Sequence, residues 1–267
     1  VTGLPASQAL PAVVLMYHAL RTGDVPPGQD PHYTLDAAVF ERQMRLVAEG
    51  PGGDSAARIL DGATGGRVAI TFDDGHISNY TVAFPVLQRL GLAADFFVNP
   101  ANVGRPGYAG WPELREMARA GMSIQSHGYD HVYLTRMNGL RLRQTLLAAR
   151  EEIEQRIGQP ATLLAPPGGR MPPKLVDIAR ECGYTHVLSS QPGVWRIGGN
   201  ARRPIPRMAM TAGISDDTFA RWIARDAIAI GRERLRYGVL AAAKRVLGDD
   251  GYERVRARAL GLLRGAT

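Results

Sequence analysis

Cysteine is almost absent: Cys182 is the only one in 267 residues, so no internal disulfide can staple the fold. It falls on the apolar face of "PKLVDIARECG" and reads as core, not as a nucleophile. Lysine is nearly as scarce, with Lys174 and Lys244 the only two, and arginine supplies the rest of the 32 basic residues. No apolar run reaches the ~18 residues of a membrane span, which excludes a transmembrane helix. The opening "VTGLPASQAL" lacks the charged and apolar regions of a signal peptide, so the sequence favours neither a cytoplasmic nor a periplasmic setting. Internal repeats and low-complexity tracts are missing too, and 45% hydrophobic with 21% charged residues is an ordinary globular composition.

What is present is unevenly spread. Of the net charge of +7, residues 231–264 carry +5. The remainder has too little positive charge for a nucleic-acid footprint, and no nucleic-acid partner is expected. Short β-branched or apolar runs alternate with helical patterns, the mark of βα units. The strand candidates are "AVVLMYH" (12–18), "VAITFDD" (68–74), "ADFFVN" (94–99), "MSIQSH" (122–127), "ATLLAPP" (161–167) and "THVLSS" (185–190). A weaker one is "RPIPRM" (203–208), where two prolines suit an edge or a short barrel strand. Leu142, Leu146, Ala149, Ile153 and Ile157 mark one intervening helix by their spacing of three and four.

Polar residues fall at the C-terminal ends of these strands: His18, Asp73, Asp74, Asn99, Ser126, His127, Pro166 to Gly169, and Ser189. In a closed parallel barrel those ends share one face, where active sites are built, whereas an open sheet gathers only those beside its switch point. The α/β pattern therefore predicts a barrel over 1–230. Residues 231–267 are read as a basic helical extension. Leu235, Val239, Ala243, Val246 and Leu247 form a stripe on an Arg-rich helix, followed by a similar segment from Tyr252 to Leu263. The plain expectation is a helical pair packed on the barrel; the sharper one is peripheral contact with an anionic membrane.

Two constellations carry chemistry. "SHGYDH" puts His127 and His131 four residues apart after a strand, where they can reach one metal ion if the backbone turns helically. Gly128 stands where a zincin would need its glutamate, so a carboxylate must come from elsewhere, and "TFDDG" offers Asp73 and Asp74. One aspartate can ligate the ion and the other accept a proton, with the ion offsetting their repulsion. Helix capping would account for one aspartate but not for both beside a histidine pair.

"TFDDG", then "SHGYDH", then "APPGG" in this order resembles the motifs of the polysaccharide deacetylase family, carbohydrate esterase family four or the NodB homology domain. "VLMYH" and "SSQPG" are similar to a bacterial, exopolysaccharide-associated branch of it. The resemblance implies a distorted (β/α)₇ barrel, a divalent metal (zinc first, cobalt or nickel as alternatives), and hydrolysis of N-acetyl groups on the amino sugars of an oligo- or polysaccharide or its precursor. It also implies Asp73 as general base and Asp74, His127 and His131 as metal ligands. Pro166, Pro167 and Gly168 would form a groove wall. Trp111, opening "WPELREMARAG", is the best placed of several aromatics (Tyr108, Tyr129 and Trp195 among them) to stack on a sugar.

The chain departs from the family twice. Ala165 stands where the family commonly has an arginine that steadies the base, with Arg170 a nearby substitute. No histidine follows His186, so the family's late proton-donating histidine is missing and His18 is the candidate acid. Two rivals follow from these departures. One is a non-hydrolytic carbohydrate-binding relative. The other is an O-acetyl esterase, whose leaving group needs less protonation.

Overall fold

The structure, a computed structural model, describes residues 10–26 and 29–242. Seven parallel strands build the barrel: β1 (Pro11–Tyr17), β2 (Val68–Phe72), β3 (Asp95–Val98), β4 (Ser123–Ser126), β5 (Leu163–Leu164), β6 (His186–Val187) and β7 (Met208–Ala209). They are hydrogen-bonded in chain order from β1 to β6. β7 then pairs in parallel with β1, and Ile205 bridges Leu188 beyond β6, which curls the sheet back on itself. The weak "RPIPRM" signal thus marks the segment that closes the barrel.

Each strand is buried on both faces, and alternation sorts its residues. Val13, Leu15, Val68, Ile70 and Phe72 join the larger core beneath the helices. Ala12, Val14, Ala69, Phe97, Leu163, Ala165 and Leu188 form a second cluster, filling the interior of the barrel. The crossover helices are α1 (Ala37–Glu49), α2 (Ala56–Leu60), α3 (Phe84–Arg89), α4 (Trp111–Arg119), α5 (Gly139–Ile157) and α6 (Leu175–Glu181). α5 shows the sequence logic directly. Asn138 caps its first turn, Gly158 closes it in the left-handed conformation, and Leu142, Leu146, Ala149 and Ile153 are its buried face. No α-helix lies between β6 and β7, so the barrel is distorted there.

After β7 come α7 (Asp216–Ile223) and α8 (227–242). α8 begins before the 230/231 boundary drawn on charge, and its first turn contributes Ala229 and Ile230 to the main core. That docking sets the phase of the helix and corrects the stripe expectation. Leu235 and Val239 do not pack on the barrel; they are 72% and 63% exposed. The rest of the stripe, and the segment from Tyr252 to Leu263, lie outside the described residues. No described helix is long and apolar enough to cross a membrane.

Candidate active site

At the end of β2 the chain makes the turn that lets two adjacent carboxylates share one cavity. Asp73 still belongs to the sheet, its N–H donating to the Tyr17 carbonyl at 2.9 Å. Asp74 then adopts φ +74°. On a strand, neighbouring side chains point to opposite faces; the left-handed residue breaks that alternation and both carboxylates line the same cavity. His131 is left-handed as well, at φ +61°. Non-glycine residues rarely take this conformation, and where they do the surroundings must hold them. The segment from His127 to His131 is a run of bends and not the helical turn expected from the spacing.

Nε2 of His127 and Nε2 of His131 lie 3.2 and 3.1 Å from the same atom, Oδ1 of Asp74. Oδ1 is buried yet has no hydrogen-bond partner of acceptable geometry among the described residues. All three donor atoms lie within 4.8 Å of one another. Two ligands of one tetrahedral ion at ~2.1 Å would stand about 3.4 Å apart. Two imidazole nitrogens and one carboxylate oxygen this close together, with that oxygen left without a hydrogen bond, fit a divalent metal. Burial alone would raise the Asp74 carboxyl; His127 and His131, with His18, pull it well below the usual carboxylate range. Burial pushes His131 down, but Asp74 outweighs it and the imidazole ends above its ordinary value.

Asp73 is held differently. Arg207 meets it with a two-pronged fork, Nη1 to Oδ1 at 2.7 Å and Nη2 to Oδ2 at 2.8 Å, and both residues are buried. The guanidinium is itself anchored: Nε donates to the Ser189 carbonyl at 3.1 Å and Nη1 reaches Thr71 Oγ1 at 3.4 Å. Burial raises the Asp73 carboxyl, but Arg207, His127 and His18 together bring it below its ordinary value, so it stays ionised. The arginine paired with Asp73 is therefore Arg207, not a residue at position 165. Arg170, the substitute expected from sequence, sits over the Tyr133 ring at 5.4 Å instead.

His18, at the end of β1, lies in the same cavity, its ring 4.7 Å from that of Tyr33. Asn79 fixes its backbone by donating to its carbonyl at 2.8 Å, while His18 Nδ1 has no partner among the described residues. Burial lowers its pKa; Asp74 and Asp73 oppose the shift without reversing it.

The cavity holds about 480 Å³. His18, Asp73, Asp74, His127, His131 and Gly168 line it, while Pro166, Pro167 and Trp111 do not. Pro166 and Pro167 are buried, and Pro167 packs beneath the histidine loop at Gly128. Trp111 packs against the main core with Arg156 over its ring. Of the other aromatics, Tyr108 reaches the cavity, Tyr129 bonds Glu152, and Trp195 is buried in the barrel interior. Sequence reasoning missed Arg207, and with it Tyr33, Tyr133 and Tyr237 on the cavity wall.

Comparison with known proteins agrees with this geometry. Residues 61–187 match the family model for polysaccharide deacetylase. YxkH of Bacillus subtilis, provisionally named a polysaccharide deacetylase, is 28% identical over 217 residues, 79% of this chain and 75% of that one. The peptidoglycan-N-acetylglucosamine deacetylase of Bacillus cereus is 30% identical over 124 residues, 46% of this chain and 56% of its own length. Among solved structures, the B. cereus polysaccharide deacetylase BC0361 superposes with a TM-score of 0.70 at 25% identity, covering 83% of this chain and 69% of that one.

Proposed function

The chain carries a polysaccharide deacetylase domain, and from that premise we propose that it is a metal-dependent hydrolase removing N-acetyl groups from the amino sugars of a bacterial polysaccharide or its precursor. The observation that carries the reading is the division of labour between the two aspartates. Asp74 faces two imidazoles, and Asp73 faces a buried guanidinium. Asp74, His127 and His131 would hold the ion, with zinc as our choice for an N₂O donor set. A divalent ion held there would polarise an amide carbonyl and lower the pKa of water to about 7.

The rest is done by side chains. Asp73, kept ionised by Arg207, takes a proton from the attacking water. His18, on the same cavity wall as both carboxylates, is our choice to carry a proton to the leaving amine; burial lowers its pKa and the two carboxylates offset only part of that, so it must take up the proton during the reaction. The C–N bond breaks, and acetate and the free amine leave. Arg207 weighs against a non-hydrolytic binding role, since binding a sugar needs no buried guanidinium clamped on a base. The peptidoglycan substrate in the name of the Bacillus cereus relative is compatible with this chemistry.

Two neighbouring substitutions test the reading. Asp74→Asn should lose metal, with activity following occupancy. Asp73→Asn should keep metal while turnover falls by roughly 10²–10⁴, the usual worth of a positioned base. Metal content and acetate release, from N-acetylglucosamine oligomers and from O-acetylated xylan, are the measurements. Equal metal loss in both variants, or full activity in Asp73→Asn, would refute the assignment. Release from the xylan alone would make the protein an O-acetyl esterase.

A further inference from the structure

α8 touches the barrel with one face and the cavity with the same face further along. Ala229 and Ile230 dock in the main core, and Arg234 Nε donates to the Pro192 carbonyl at 3.1 Å, which ties the helix to the loop after β6. One turn on, Glu233, Tyr237, Leu240 and Ala241 line the cavity. Their spacing of four, three and one puts them on a single helix face. Leu235 and Val239 point the other way, into solvent. The helix is therefore positioned by its first two turns and spends its remaining inward surface on the cavity.

The cavity is walled on the other sides by every loop at the C-terminal end of the barrel. His18 and Tyr33 follow β1, Tyr108 follows β3, Tyr133 follows β4, and Arg170 follows β5. Tyr237 on α8 meets this ring beside Arg170, whose charge acts on its hydroxyl. A polymer lying across the mouth of an open groove needs two exits. Here α8 stands along one side of the mouth, tied by Arg234 to the loop after β6, with Glu233 and Tyr237 half-buried and Leu240 and Ala241 at the exposed rim, so a helix stands in the way of one of those exits.

We propose that α8 is a specificity element: it closes that side of the cavity so that only a chain end or a free short oligosaccharide enters, and Tyr237 stacks on the sugar seated there. The inference rests on the deacetylase reading for its substrate class, but its residues belong to a helix that carries none of the proposed catalytic groups. Aromatic rings supply flat apolar area that suits one face of a sugar ring, with the hydroxyl free to bond.

The test uses the 267-residue chain, its Tyr237→Ala variant, and Leu235→Ser on the outward face as control. Binding of the N-acetylglucosamine hexamer is measured by calorimetry, and the position of any deacetylated unit by mass spectrometry. In the unaltered protein the modified unit should be terminal. Tyr237→Ala should weaken binding and raise KM about tenfold, equivalent to ~1.4 kcal/mol, with kcat little changed, and Leu235→Ser should match the unaltered protein. Deacetylation of interior units by the unaltered protein, or unchanged binding by Tyr237→Ala, overturns the inference while the deacetylase reading stands. Hexamer binding that depends on Tyr237 without acetate release leaves the inference standing and removes the hydrolase. No binding and no release removes both.

Discussion

Arg207 and Asp73 are both withdrawn from water, with relative exposures of 0% and 3%. Removing two charges from water costs more than their attraction returns unless every lone pair and proton is matched. Here the fork, the Ser189 carbonyl and Thr71 come close to that condition, taking four of the guanidinium's five N–H groups. Breaking such a pair leaves a buried charge alone. Arg207→Met should therefore destabilise the protein by roughly 3–5 kcal/mol and abolish most turnover. Adding Asp73→Asn to it should restore much of the stability but none of the activity, because the second change removes the stranded charge together with the base. Urea melts of the two single variants and the double variant complete the cycle; strictly additive losses would show that the two side chains do not depend on each other. The pair also explains what sequence could and could not reveal. Asp73, Asp74, His127 and His131 are legible because two short segments of unusual residues announce them. Arg207 is one arginine among many, and its partner lies 134 residues away. Only barrel closure joins them.

At the scale of elements, the long apolar runs were the legible ones. β1 to β4 each fall within a residue or two of the span that alternation and β-branching suggest. β5, β6 and β7 have two residues apiece, too few for any periodicity, and sequence could offer only longer candidates around them. α8 was legible as a helix but not in its orientation, since its inward face is partly polar and its outward face apolar. The turn Pro167–Gly169 after β5 is a further case, because glycine there is demanded by geometry. Gly168 has φ +61°, and a Cβ on it would stand 2.6 Å from Cε1 of Tyr133. Gly168→Ala must both pay the left-handed cost of about 1–2 kcal/mol and push the Tyr133 ring across the cavity wall. We expect melting to fall by roughly 2–8 °C and KM for an acetylated oligosaccharide to rise severalfold. Combining it with Tyr133→Ser should relieve the clash but not the backbone strain. A Gly168→Ala protein that melts and turns over normally would mean that the turn adapts and does not shape the cavity.

The barrel buries a carboxyl group at each end: Asp73 where β2 finishes, and Asp95 where β3 begins. This first residue of β3 is fully buried, and its carboxylate accepts the N–H groups of Ala56 at 2.5 Å and Ala57 at 3.3 Å, joining α2 to the sheet. Burial drives its pKa up; the Ser123 side chain and the two N–H groups oppose it, and the carboxyl ends at about 7 against an ordinary 3.8. The native state thus binds a proton that the unfolded chain releases near pH 4. Stability from this group is fully present below pH ~4, declines as pH rises towards ~7, and is flat beyond. About three pKa units at ~1.36 kcal/mol each allow up to ~4 kcal/mol across that window. His131 shifts in the same direction, while His18, His76 and His186 shift in the other, so the slope of the unaltered protein mixes several groups. Asp95→Asn isolates the one of interest, since asparagine has nearly the same shape, can still accept from α2 and does not titrate. Measured by urea unfolding, the stability of Asp95→Asn relative to the unaltered protein should climb between pH 4.5 and 7 and level off above. Acetate release at pH 8 should be the same in both, because Asp95 lies at the end of the barrel remote from the cavity. A stability difference that stays flat from pH 4.5 to 8 would place the Asp95 pKa near its ordinary value and make the N–H groups of α2, not burial, the stronger influence on it.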